Sequence, residues 1–554
     1  MAFVPNKYQQ MNLEDKTYQL TDREKRFLSK SWAHAFSEYV FPYINEERFA
    51  VLYSDNPASR PNTPVNIIIG MESLKELHGM TDDETLEAVI LDFRFQHALH
   101  SSSFTEQPVS DRTLSRFRAR LYEYELATGR DLMKEEMEDL AQHFAKMMQI
   151  SAQKKRMDSI MVASSCKKMS RLELIYTVVA NMVKAVHRLG ESELLDQGLQ
   201  KYLQEDHRNN TIYRTRSTES QSKLEQVAAD AVRLLAALGD SFAGLKEYEL
   251  LSRLVQEQIE IVEETVKLRD SKEIRTDSLQ NPSDEDASYR KKAGQGHRGY
   301  VGNLVESFDD NGALITGMDY QINTHSDIEF AKDVIDKEAS DAKNPLTLIA
   351  DGAYGSDEVM SQAKEKNINL VTTALVGKAP DPVLADYEID EVNKKILKCP
   401  AGHAPLSCQY KEKADRYYAH FDKGVCSKCP LRRHCGVKFQ KKRGLVQLSS
   451  KTVRRAQHLK AMAKDEYQEL ARQRNAVEGI PSVLRRKYQV DRMPVRGYVS
   501  SKLRFFLKVG SINIKRVIDW SKSQSLLLKF TLSKVFWNFT DRKTANYYFC
   551  LAVS

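Results

Sequence analysis

Apolar residues recur every three or four positions from residue 20 to about 130, a spacing that predicts helices. In TPVNIIIGMESLKELHGMTDDETLEAVILDFRFQHAL, Thr81 followed by Glu84 forms a capping-box start. PVSDRTLSRFRARLYEYEL predicts a short amphipathic helix capped by Ser110 or Asp111. It carries Arg112, Arg116, Arg118 and Arg120, which suits either a helix-turn-helix reader of DNA or an exposed basic face in a bundle. Met157 to Ala163 then reads as a strand with Asp158 inside it. LELIYTVVANMVKAVHRL, SKLEQVAADAVRLLAAL and EYELLSRLVQEQIEIVEETVKL predict long helices across 168–270. Residues 271–298 are polar and rich in turn formers, so they read as a linker. Gly294, Gly296, Gly299 and Gly302 lack the following helix that a phosphate loop requires.

The period then changes from helical to alternating. GYVGNLVESF, a DDNG turn and ALITGMDYQIN predict a β-hairpin. SDIEFAKDVIDKEA predicts a helix capped by Ser326, PLTLIA a buried strand, SDEVMSQAKEKN a helix capped by Ser356, and INLVTTAL another strand. RRAQHLKAMAKDEYQELARQRNAVEG predicts one long helix, broken just after Glu478 by Gly479 and Pro481. The order is strand, helical insertion, two hairpin strands, helix, strand, helix, strand, insertion, helix. This predicts an α/β protein with a mixed sheet flanked by helices.

A chain of 554 residues has room for two to four domains. The expected division is an N-terminal helical, DNA-binding part (1–150), the first core strand (151–167), a helical insertion (168–275), the linker (276–298), the continued core (299–376), a cysteine-bearing insertion (377–450), a catalytic helix with a basic end (451–520), and a tail (521–554). No apolar run spans a bilayer and the N-terminus lacks the layout of a secretory signal, so a cytoplasmic protein without a membrane partner is expected. The net charge of +7 is unevenly spread. Residues 438–516 hold 21 Lys and Arg against 5 Asp and Glu, a concentration that points to a polyanion. Tyr488, Tyr498, Phe505 and Phe506 in that block are available to pack or to stack.

The strand PLTLIA runs directly into Asp351 and Gly352. A charge at the mouth of a buried strand needs a partner. Asp158, in the first strand, and Glu478, on the last helix, complete a trio of the kind two-metal phosphoryl transfer uses. Each has a simpler explanation: Asp158 paired with Arg156 or Lys155, Asp351 starting a turn, Glu478 paired with Arg474 one helical turn earlier. The element order places all three where an RNase H-like nuclease core carries its acids.

LIADGAYGS resembles the second-aspartate motif of bacterial insertion-sequence transposases of the DDE class. RMDSIMVASSCKKMSRLEL is similar to their first-aspartate region, and QRNAVEGIPSVLRRKYQVDRMPVRG to their glutamate region. Arg474 and Glu478 fit the Tyr-x2-Arg-x3-Glu-x6-Lys signature, whereas Ala471 and Arg485 replace its tyrosine and lysine. The resemblance implies an RNase H-like core, catalytic and metal-holding Asp158, Asp351 and Glu478, and two Mg²⁺ or Mn²⁺ ions. It implies cleavage at element ends and strand transfer into target DNA. Arg474, Arg485, Lys487, Arg496, Arg112 and Arg116 are the expected DNA contacts. Double-stranded DNA is the expected partner of a nucleoid-associated bacterial homodimer or larger homo-oligomer. The competing expectations are an inactive DNA-binding descendant and a structure-selective nuclease on the same core.

Five of seven cysteines lie between Cys399 and Cys435, a clustering that points to metal in a reducing compartment. Cys426 and Cys429 with two of Cys399, Cys408 and Cys435 are the expected Zn²⁺ set, with an iron–sulfur cluster or free thiols as alternatives. His434 is expected at the surface, and Cys166 and Cys550 are read as core or incidental thiols.

Overall fold

The computed structural model describes residues 1–6, 15–56, 58–262, 265–292, 294–338, 345–390 and 392–540, with side chains described to residue 524. Cys550 and residues 541–554 of the expected tail lie outside the described residues. The N-terminal part is helical, as its spacing predicts. Its longest helices are α1 (Val65–His78), α2 (Thr113–Thr128) and α3 (Leu132–Met147). The Thr81–Glu84 capping box forms. The cap expected at Ser110 or Asp111 does not: α2 starts after Arg112, and Ser110 instead donates its backbone N–H to the Thr113 hydroxyl.

A six-stranded mixed sheet forms the centre: β1 (Lys154–Ala163), β2 (Ser288–Lys292), β3 (Gln295–Asp309), β4 (Gly312–Ile322), β5 (Leu346–Ala350) and β6 (Ile368–Thr372). β1 lies between antiparallel β3 and parallel β5, and β6 extends the sheet parallel to β5. The β3–β4 hairpin turns through Asp310 and Asn311, where the DDNG stretch predicts it. One face packs on the N-terminal helices and on the final helix α12 (Tyr498–Thr540), through Ile160, Val162, Leu304, Phe505 and Phe506. The other face packs on α7 (Asp327–Lys337) and α8 (Asp357–Glu365), through Met157, Val305, Leu348, Phe330 and Val359.

Between β1 and β2, helices α4 (Arg171–Arg188), α5 (Ser220–Leu238) and α6 (Lys246–Gln258) build a separate apolar core. Two expectations fail here. The helix predicted through residue 268 ends at Gln258, and Ile259–Val262 and Thr265–Leu268 pair as a hairpin. The β-branched IEIV and TVKL segments favour that outcome. The expected linker contains β2 and the start of β3. Gly294, Gly296, Gly299 and Gly302 belong to this strand pair and to no phosphate loop. Gly302 lies under the Phe505 ring, where a Cβ would come within 2.3 Å.

The second insertion carries a four-stranded antiparallel sheet of β7 (Ser407–Lys411), β8 (Arg416–Asp422), β9 (Val437–Phe439) and β10 (Arg443–Ser449). The long helix expected beyond it is divided. α9 (Ser450–Met462) and α10 (Asp465–Gln473) are followed by a 3₁₀ turn at Arg474–Glu478 and by α11 (Gly479–Arg486). The break expected after Glu478 therefore falls five residues earlier. Pro481 sits in the first turn of α11, where its missing N–H has no helical partner to lose.

The basic block divides between interior and surface. Tyr488, Phe505 and Phe506 are core residues, and Tyr498 donates its hydroxyl to the Tyr320 carbonyl at 2.7 Å. Arg504 and Lys508 are buried against Glu72 and Glu76. Among the described residues, no helix is long and apolar enough to cross a membrane.

Candidate active site

β1 and β5 run parallel, in register at Lys154–Thr347, Lys155–Leu348 and Arg156–Ile349. Two residues further along, the strands carry Asp158 and Asp351. The acids are therefore level with each other on neighbouring strands, Asp158 within β1 and Asp351 just past the end of β5, about 5 Å apart in the sheet direction. Side chains alternate along β1, so Asp158 shares a face with Arg156 and Ile160.

Asp351 is fixed by its own turn. Its Oδ1 accepts from the Gly352 N–H at 2.6 Å and from the Thr373 hydroxyl at 3.1 Å. Gly352 is required there, because a Cβ would stand 2.6 Å from the Ala374 carbonyl oxygen. The turns that end β5 and β6 thus touch backbone to backbone.

The 3₁₀ turn brings the third acid. Arg474 is buried and lies between two carboxylates: Nη1 donates to Glu478 Oε1 at 2.6 Å and Nη2 to Asp158 Oδ1 at 3.1 Å. The pairing of Glu478 with Arg474, expected as its simpler explanation, is present, but the same guanidinium also reaches Asp158. The simpler explanation for Asp158 fails. Arg156 pairs with Glu306 at 2.5 Å and Lys155 with Glu338 at 2.5 Å, leaving neither for Asp158.

Burial pushes the Asp158 carboxyl above its usual range, and the charge of Asp351 adds to the effect. Arg474, the Ser159 N–H and Lys292 oppose it. Glu478 is exposed, which leaves its other oxygen open to solvent.

Two supporting residues escaped the sequence reading. Arg156 donates Nη1 to the Gln473 carbonyl at 2.8 Å and stacks 4.3 Å from the Phe308 ring. It pins the end of α10, and so the position of Arg474. Tyr467 on α10 bonds both the backbone N–H and C=O of Thr372, at 2.7 and 3.0 Å, locking the helix against the end of β6. Neither role has a motif; both depend on pairs more than 90 residues apart. Lys292 is a third omission, because its strand lies in the segment read as linker.

The expected DNA contacts are dispersed. Arg485 donates Nη2 to the Met161 carbonyl at 3.1 Å and pairs with Asp491 at 3.1 Å, alongside β1. Lys487 lies 5.0 Å over the Tyr488 ring, and burial and Lys515 lower its pKa. Arg496, Arg112 and Arg116 are exposed. Of the other arginines on α2, Arg118 is buried between Glu72 and Asp82, and Arg120 stacks 4.7 Å from the Tyr53 ring.

Cys399, Cys426, Cys429 and Cys435 line one small cavity with His403; Cys408 does not. His434 is exposed and bonds Asp381 at 2.6 Å. Cys166 is half-buried in the segment after β1. Among the described residues, no three His, Cys, Asp or Glu side chains are already gathered as a metal shell.

A family model for a transposase DDE domain matches residues 398–518, and a model for a transposase domain, DUF772, matches residues 26–120. The first match includes Glu478 and the five clustered cysteines of the insertion; the second includes α1, Arg112 and Arg116. No curated protein and no solved structure matches the chain.

Proposed function

Because its two matched domains mark an insertion-sequence DDE transposase, we propose that this chain cuts DNA at the ends of its element and joins the freed ends to target DNA. One observation carries the reading: Arg474 bridges Glu478 to Asp158, 316 residues earlier than Arg474, while Asp351 stands level with Asp158 on the next strand. An antiparallel hairpin beside β1, followed by two parallel strands on its other side, supports an RNase H-like core.

Asp158, Asp351 and Glu478 offer hard carboxylate oxygens, the donor type that suits Mg²⁺ or Mn²⁺. Asp158 is desolvated and sits beside a second negative charge, an arrangement a cation relieves. When bound, two such ions supply charge that sharpens the attacking water or 3′-hydroxyl and stabilises the leaving oxygen. The chain's own residues orient the acids. Gly352 N–H and Thr373 fix Asp351, Arg474 holds Asp158 and Glu478, and Arg156 and Tyr467 hold the turn that carries Arg474. Arg485, anchored to β1 but partly exposed, is placed to meet a phosphate near the acids. Arg112 and Arg116 and the exposed part of the 438–516 block bind the duplex backbone. Two ends must be handled together, which favours a homodimer or larger homo-oligomer working on the nucleoid in the cytoplasm.

The test is incubation with Mg²⁺ or Mn²⁺ and DNA flanking the natural gene, with the ends produced mapped. The wild type yields 3′-hydroxyl ends at the element boundary. Asp351→Asn binds those ends and leaves them intact. Unchanged cleavage by Asp351→Asn removes Asp351 from the site. Binding without metal-dependent cleavage by the wild type identifies a DNA-binding descendant instead.

A further inference from the structure

The cysteine-bearing insertion plays no part in the chemistry above. We propose that Cys399, Cys426, Cys429 and Cys435 hold one structural Zn²⁺ as a four-thiolate centre, and that Cys408 is not a ligand.

The four residues come from three places, the loop at Cys399, the short helix Lys423–Lys428 with its cap at Cys429, and the turn at Cys435, and meet at a cavity of about 20 Å³, the size of a single ion or water. Each turn is built to present sulfur. The Cys399 N–H donates to the His403 carbonyl at 2.9 Å, and the Cys399 carbonyl accepts from Gly402 at 2.7 Å. Gly402 has φ +83°, which closes that loop at no steric cost. The Cys429 N–H reaches the Cys426 carbonyl at 3.3 Å, folding the Cys-x2-Cys pair to one side. The Cys435 N–H donates to Leu431 at 2.9 Å, and Gly436 follows with φ +75°. Tyr387 donates its hydroxyl to the Cys435 carbonyl at 2.7 Å and ties this turn to the apolar core of the insertion.

Cys408 has a different place. It lies on β7, and its sulfur accepts the Ile396 N–H at 3.4 Å. The sequence left three candidates for two positions; the cavity selects Cys399 and Cys435.

All four thiols are free. Four soft sulfur donors select a tetrahedral Zn²⁺ or an iron–sulfur cluster. A space that takes about one water-sized sphere favours a single ion over a multinuclear cluster. The sulfurs line it without closing into a shell, so binding requires rotation about their Cα–Cβ bonds, between staggered rotamers, to reach the Zn–S distance of about 2.3 Å. Such a centre gives a small sheet the cross-link that its limited core needs.

The test uses the full-length chain, loaded with Zn²⁺ and freed of excess metal, with metal content measured by atomic emission. The expected result is about one zinc per chain, released by a mercurial that blocks thiols. Cys429→Ser and Cys399→Ser lose it; Cys408→Ser keeps it. In case a variant fails to fold, the wild type is also alkylated with and without a chelator. Cys399, Cys426, Cys429 and Cys435 are protected together until the chelator is added. Replacement by Co²⁺ gives sulfur-to-cobalt charge-transfer absorption. A metal-free wild type with freely alkylated thiols, iron with acid-labile sulfide, or equal zinc loss from Cys408→Ser overturns the proposal. None of these readouts depends on DNA cleavage, so failure here leaves the proposed function untouched.

Discussion

Glu76→Met removes one of two buried carboxylates that join helix α1 to the last helix. Glu76 on α1 contacts Arg504 at 3.0 Å and Lys508 at 2.6 Å on α12, and all three are buried. Arg504 keeps a second partner, Glu72, at 3.2 Å, so Lys508 is the charge left alone. Breaking a buried ion pair from one side costs about 3–5 kcal/mol, because the remaining charge stays desolvated. Lys508→Met should cost less, about 1–2 kcal/mol, since Glu76 still meets Arg504. The double variant removes both charges and should cost less than Glu76→Met alone, giving a coupling energy of about 2 kcal/mol. Urea unfolding of the full chain, followed by tryptophan fluorescence, measures this cycle. Trp32 and Trp520 both pack against the core that contains α1 and α12. Single costs that add within about 0.5 kcal/mol would refute the coupling of Glu76 and Lys508 across the α1–α12 contact.

Glu136 is fully buried, and its carboxyl is pushed up to about 7, chiefly by burial, with Asp139 adding and the Asn45 N–H and Arg48 opposing. A folded pKa raised above the ordinary 4.5 gives stabilisation that is complete below that value and lost as pH rises through about 7. Glu136→Gln should flatten the fall in stability between about pH 5 and pH 8 by up to about 3 kcal/mol, measured by urea unfolding at each pH. An unchanged pH slope contradicts the assignment. Gly352→Ala forces a Cβ to within 2.6 Å of the Ala374 oxygen and should abolish cleavage while end binding persists. Gly244→Ala, with open space around it, should change neither. DNA affinity should fall with log salt at about −0.9 per phosphate neutralised, and Arg112→Ala with Arg116→Ala should make the slope shallower by about 2. An unaltered slope removes α2 from the interface.

The hairpin at Asp310–Asn311, the strands ending at Ala163 and Ala350, and the caps at Thr81, Ser326 and Ser356 are legible in the sequence because each has a local signal. Asp351 and Gly352 stand out for the same reason: a charge and a turn glycine directly after an apolar strand. Other features are not local. Ile259–Val262 and Thr265–Leu268 continue a helical pattern, and beyond their β-branched residues only the pairing itself reveals a hairpin. Charge alone could not say that Arg504, Lys508 and Arg118 face inward, because their acids lie in distant segments. Arg474 was legible as a neighbour of Glu478, four residues away, but not as a bridge to Asp158. Five clustered cysteines suggest metal, yet only the fold separates Cys408 from the others.

Asp351 acting as a ligand at the point of cleavage is tested most directly by Asp351→Cys. A thiolate is a poor partner for Mg²⁺ and a better one for Mn²⁺. Strand cleavage by this variant should disappear in Mg²⁺ and return in part when Mn²⁺ replaces it, with the wild type active in both. Cleavage by Asp351→Cys at wild-type rates in Mg²⁺ would contradict the account.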